Sequence, residues 1–354
     1  MNLLELTIKK ITPQDADARA LAKARLEQLT MPYWALGRLM DLAEDLAGIT
    51  GSIRPPVGRK TVVTMAGDHG ITAAGVSKYP QEVTIQMIYN FINGGAGINA
   101  LARLVGARVV IVDMGVAGDL SELGKAGKII SKRTGPGTKN MLTGPAMSRD
   151  EAIRSIEGGI EVAMELASST DIFGTGDMGI GNTSPSAAII NVFSNVPVSK
   201  IAGRGTGIDD GQLAHKVAII EKAIKVNNPD PSDALDVLAK VGGFEIGGIA
   251  GLIMGAASMK KPVLVDGFIS TAGALIAAHL APVTREYMIA SHRSMEKGHK
   301  IALDCLGKTP LLDLDLRLGE GTGAALAMNL VEAAVRILTE VATFEEAAVS
   351  KADK

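Results

Sequence analysis

Apolar positions along the chain switch between two spacings, and the switching recurs from residue 61 onward. Short β-branched or apolar runs at 61–65, 108–113, 171–173, 198–202 and 262–265 predict strands. Between and after them, apolar positions at helical spacing predict helices at 80–105, 148–167, 208–225, 233–240, 244–259, 271–279, 294–306 and 323–341. The first of these carries Gly94, Gly95 and Gly97 in its middle and is expected to kink or split. Upstream, Thr12-Pro13-Gln14-Asp15 combines a cap, a proline at the first helical position and an acid, so a helix is expected from there to about Leu29. A second helix is expected at 36–46, and the Pro- and Gly-rich stretch 50–59 reads as a loop. Together these predict an α/β fold: a doubly wound, mainly parallel sheet with helices on both faces, plus a small helical lobe. The expected division is 1–55 for the lobe, completed by C-terminal helical segments, 56–345 for the α/β domain and 346–354 for a C-terminal tail.

Composition narrows the picture. Among 354 residues, 36 Lys and Arg against 38 Asp and Glu leave a net charge of −2, which argues against a nucleic-acid binder. The single cysteine, Cys305, excludes a disulfide framework and a paired-CxxC zinc site. Mean hydropathy is high, at +0.23. Yet the longest uncharged apolar run, Ile246 to Met259, falls short of the roughly 20 residues a spanning helix needs. Nothing near Met1 resembles a signal peptide, and a cytoplasmic protein without membrane contact is expected.

In open parallel sheets ligands bind beyond the carboxyl ends of the strands. The segments expected there are Gly67-Asp68-His69-Gly70, Asp113-Met114-Gly115, Gly174 to Thr183, Gly203-Arg204-Gly205-Thr206-Gly207 and Asp266-Gly267, with Arg317 to Gly323 before the last helix. Each carries glycine and most carry acid, which suits a pocket for a phosphorylated small molecule. Gly174-Thr175-Gly176-Asp177-Met178-Gly179 is a literal G-x-G-x-x-G, but the acid that a dinucleotide site wants about 20 residues on is missing. No P-loop, no H-E-x-x-H and no G-x-S-x-G around Ser184 or Ser186 is present, and His69 has only Asp68 beside it as a local acid.

At these residues the chain resembles the nicotinate-nucleotide:5,6-dimethylbenzimidazole phosphoribosyltransferase family. The resemblance runs in order through Gly67-Asp68-His69-Gly70, Gly75-Val76-Ser77, Tyr79 to Thr84, Gly144-Pro145-Ala146-Met147, Gly176 to Thr183, Gly203 to Gly207 with Lys216, and Lys240 to Gly243. It continues through Asp266-Gly267-Phe268, Ser291-His292, Ser294 to Gly298, and Arg317 to Gly323. It implies a transfer of phosphoribose from nicotinate mononucleotide to an aromatic base, with release of nicotinate, formation of an α-ribotide for the lower ligand of cobamides, and no metal or other cofactor. It implies Glu320 as general base, with Asp177 as a second acid. It further implies nucleotide and phosphate contacts from Gly176, Met178, Gly179, Asn182, Gly203, Gly205, Lys216, Ser291, Ser294 and Gly319, and base contacts from Tyr79, Gln86, Met87 and Leu318. A homodimer, or a heterodimer with a similar chain, is expected, with Lys216 reaching the neighbouring subunit's site.

One stretch departs from the family. Its lobe usually reads K-P-x-G-S-L-G, whereas here Met31-Pro32-Tyr33-Trp34-Ala35-Leu36-Gly37 puts Trp34 and Ala35 where Gly and Ser are usual. That opens the acceptor base to question, with phenols as an alternative to azoles. Two other functions stay open at this point: a non-catalytic or partner-dependent paralogue, and a NAD-dependent dehydrogenase resting on Gly174 to Gly179.

Overall fold

A computed structural model describes residues 1–205 and 207–350. Six strands form one sheet: β1 (Lys60–Gly67), β2 (Arg108–Gly115), β3 (Ile130–Ser131), β4 (Ile172–Met178), β5 (Val263–Val265) and β6 (Met288–Ala290). Their order is β3-β2-β1-β4-β5-β6, with every pairing parallel. Neighbours along β1 point to opposite faces, as a strand requires. Val63 and Met65 join a core with the helices Arg149–Leu166, Thr183–Ser194, Phe244–Ser258 and Phe268–Leu280. Val62 and Ala66 join a second core with Arg38–Thr50, Val83–Ile92, Gly97–Val105 and Thr322–Glu340. Residues 1–55 contribute to both, through Leu4, Ile11 and Ile49 on one face and Leu26, Met40 and Leu46 on the other.

The apolar run near residue 250 is a core helix, and its glycines let it cross another helix closely. A Cβ at Gly251 would collide with the Ile156 carbonyl, and one at Gly159 with that of Gly248. Thr322–Glu340 is long and apolar enough to cross a membrane, but Ala324, Ala327, Met328 and Val331 are buried under the sheet.

Several elements differ from expectation. The first long helix begins at Ala16 with Asp15 as its N-cap, and a separate helix, Leu3–Lys10, precedes it. The 80–105 stretch does split, into Val83–Ile92 and Gly97–Val105. The stretch 198–202 is a helical turn, Val198–Ile201, entered from Pro197. The 294–306 helix begins only at His299, because Ser294 to Gly298 form a turn. β4 runs through the glycine motif to Met178, and β6 is an addition to the expected strands.

Candidate active site

The chain order of the strands reverses between β1 and β4, and their carboxyl ends open onto one cleft, the usual ligand position in such sheets. Glu320 stands there between Gly319 and Gly321 with φ +63°, and is only 6% exposed. Its Oε2 accepts the Ile98 N–H at 3.0 Å. That donor exists because the Gly94-Gly95-Ala96-Gly97 break starts a new helix facing the acid. Burial pushes the Glu320 carboxyl above its ordinary value, with the Ile98 N–H opposing and the Asp266 charge adding.

Asp177 closes β4 beneath it. Burial, then Asp266, Glu245 and Glu320, holds its carboxyl well above the carboxylate range. Asn182 Nδ2 donates to its Oδ2 at 2.9 Å, while Oδ1 is buried without a partner and lies against Gly319. Gly176 is buried in β4, where a Cβ would collide with the Glu320 carbonyl. A Cβ at Gly174 would likewise press on Ala324 and Met328. The G-x-G pattern thus serves the crossing of the last helix over the strand rather than a pyrophosphate, and removes the sequence basis for a dehydrogenase. Asp266, at the end of β5, caps that helix, accepting the N–H groups of Gly323 (2.8 Å), Ala324 (3.0 Å) and Gly321 (3.2 Å).

On the other side of Asn182 lies a small cavity of about 40 Å³ whose lining includes Ser77, Gly179, Asn182, Thr183, Arg204 and Lys216. Lys216 is 1% exposed, and its Nζ donates to Thr183 Oγ1 at 2.7 Å and lies 3.5 Å from the Gly203 carbonyl. Within the chain, the ammonium is thus held at this cavity. Burial lowers it to about 8, with Glu296 opposing. Gly205 lies beside Lys216 and Thr183. Thr206 of the same motif lies outside the described residues, as do residues 351–354 of the expected tail. A buried ammonium, a hydroxyl and a helix N-terminus at Thr183 make an anion cradle.

Ser291 follows β6 directly. Its hydroxyl is fully buried and donates to the Val265 carbonyl at 2.7 Å, so it braces β5. Ser294 is nearly buried; its N–H donates to His299 Nδ1 at 2.8 Å, and its Oγ accepts the Glu296 N–H at 3.2 Å. Burial, with His292 nearby, holds His299 near 3, a neutral ring whose Nε2–H faces Thr271.

Of the expected base contacts, Leu318 is 59% exposed at the mouth, above Gly97. Gln86 is exposed and Met87 half-buried on the Val83–Ile92 helix, and Tyr79 is half-exposed on the loop before it. That helix is docked to the site by Thr84, whose Oγ1 accepts the Ile180 N–H at 3.1 Å. Met178 is half-buried at the end of β4. Trp34 has φ +51° and donates its indole N–H to Asp41 at 2.8 Å.

Sequence reasoning missed a fully buried pair, His69 Nε2 to Glu245 Oε1 at 2.8 Å, which underlies Gly179. Burial opposes the imidazolium, but the Glu245 carboxylate outweighs it and raises His69. No local signal links positions so far apart in the chain. Among the described residues, no cluster of three or more His, Cys, Asp or Glu is placed to hold a metal.

A family profile described as phosphoribosyltransferase matches residues 11–349. The nicotinate-nucleotide–dimethylbenzimidazole phosphoribosyltransferase of Syntrophotalea carbinolica is 62% identical over 351 residues, covering 99% of each chain. The enzyme of the same name from Geobacter sulfurreducens is 55% identical over the whole of both chains. The crystal structure of the Thermus thermophilus enzyme of that name superposes with TM-score 0.89 at 42% identity, over 96% of this chain and 100% of the other.

Proposed function

The chain belongs to the nicotinate-nucleotide–dimethylbenzimidazole phosphoribosyltransferase family, and from that premise we propose how its cleft carries out the transfer of phosphoribose from nicotinate mononucleotide to an aromatic base. An azole nitrogen attacks the anomeric carbon as the bond to nicotinate breaks. The bonding pair returns to the pyridinium ring, which leaves neutral at nitrogen and needs no acid. The azole N–H proton passes to the Glu320 carboxylate. The nucleotide phosphate sits in the cradle of Lys216, Thr183 and Gly205. Asp177, below the reaction centre, faces the ribosyl ring.

The observation that carries this reading is Glu320 itself, a buried carboxylate held by one N–H at the open end of the sheet. Desolvation raises its basicity, as a general base at neutral pH requires. Glu320→Gln keeps size and hydrogen bonding but removes the proton acceptor. Nicotinate release with an azole acceptor is expected to fall about 10²–10⁴-fold, with nucleotide affinity unchanged. A variant retaining more than about a tenth of the activity would remove Glu320 from the base role.

A dimer belongs to the same proposal. Met295, Leu314 and Leu318 are 55–59% exposed at the mouth, on segments paired through Met295 N–H to the Leu316 carbonyl. Exposed apolar side chains grouped in this way suit a second copy, and light scattering reads the mass. A reducing, cytoplasmic setting suits a chain with one free cysteine.

A further inference from the structure

The turn Ser294 to Gly298 grips the helical turn Val198–Ile201 and the glycine loop that follows it. Lys297 Nζ donates to the Ser199 carbonyl at 2.9 Å. Gly298 packs so closely on Ile201 that a Cβ there would press on its backbone. Between them, the Glu296 carboxylate lies against the Cα of Gly203 and faces the backbone N–H of Gly205. Glu296 does not line the cavity; it stands behind the loop whose front carries Arg204 and, across it, the Lys216 ammonium. Its Oε2 is buried and has no hydrogen-bond partner. The charged groups facing it are Lys216 and, from the segment before Glu320, Arg317. Arg204 is occupied by Asp210 and the Ile208 carbonyl.

The geometry points to Glu296 as a positioning residue for the phosphate half of the reaction: from behind, its carboxylate fixes the 203–205 loop and holds the Lys216 ammonium charged toward the cavity. The inference rests on the reading that Lys216 takes the nucleotide phosphate. A desolvated lysine loses its proton more readily, and a nearby carboxylate opposes that loss. Burial has brought Lys216 down to about 8, and Glu296 is the group acting against it. The phosphate needs the charged form, so nucleotide binding is strong below the lysine's titration and weakens as pH rises through it. Without the carboxylate, that weakening begins at lower pH.

The test is KM and kcat for nicotinate mononucleotide between pH 7 and 9.5, a range where a phosphate monoester stays largely dianionic because its second pKa is about 6. Wild type, Glu296→Gln, Glu296→Asp and Lys216→Ala are compared. Glu296→Gln is expected to raise KM about tenfold at pH 8, to move the alkaline rise in KM about one unit lower, and to change kcat less than about threefold. Glu296→Asp keeps the charge and restores part of the profile. A Glu296→Gln profile superimposable on wild type overturns the inference. If that variant does not fold, Glu296→Ala takes its place, and a profile superimposable on wild type overturns the inference in the same way. An unchanged KM in Lys216→Ala at every pH instead overturns the phosphate reading, so the two failures are distinguishable.

Discussion

Glu320 and Trp34 share a backbone conformation that L-residues seldom adopt. At Glu320, flanking glycines and the Ile98 N–H hold the strain where the chemistry is, a common placement for such residues. At Trp34 the same conformation is one that only glycine enters without cost. The indole offsets the strain by packing and by its bond to Asp41. Trp34→Gly therefore relieves about 1 kcal/mol of strain but loses about 1–2 kcal/mol of burial and about 1 kcal/mol of hydrogen bonding. The net expectation is a Tm lower by about 2–4 °C in calorimetry. Because the indole is tied inside its own lobe, the paired change with Ala35→Ser is expected to leave the ratio of benzimidazole to phenol turnover as it is. A shift toward benzimidazole would return Trp34 to the acceptor pocket.

Helix crossing decides much of what happens at the scale of elements. Gly251→Ala drives a methyl into the Ile156 carbonyl, backbone against backbone, and is expected to cost about 3 kcal/mol in denaturant unfolding. Gly58→Ala, with open space around it, serves as the control and is expected within about 0.5 kcal/mol. The same physics explains where sequence reading succeeds. β1 and β2 are legible because β-branched runs have few other uses; Glu320 stands out only through the family resemblance, since an acid near a helix N-terminus is a common placement. β4 reads too short because Gly174 and Gly176 look like loop residues until the last helix is seen to cross them. Lys216 follows two acids on a helix and reads as a surface lysine; only the fold buries it. His69 and Glu245 meet only through the sheet.

At the scale of the molecule, the strand order is that of dinucleotide-binding sheets, yet the glycines expected to cradle a pyrophosphate serve helix packing. The proposed ligand position is still the reversal of strand order, and the proposed recognition comes from other segments, 182–183, 203–205, 216 and 317–320. All of them belong to one chain. If Lys216 crossed to a neighbour, two differently crippled subunits could repair each other in a mixed dimer. With Lys216 bonded to Thr183 of its own chain, hybrids of Lys216→Ala and Glu320→Gln subunits are expected to show no recovered turnover, once mass measurement has established that they form. Recovered turnover would mean that the lysine acts across the interface. If no turnover is recovered, output in a cell carrying one intact and one inactivated gene copy should follow gene dose: a defective subunit of the proposed dimer would remove its own site and leave its companion's working, so such alleles would behave as recessive.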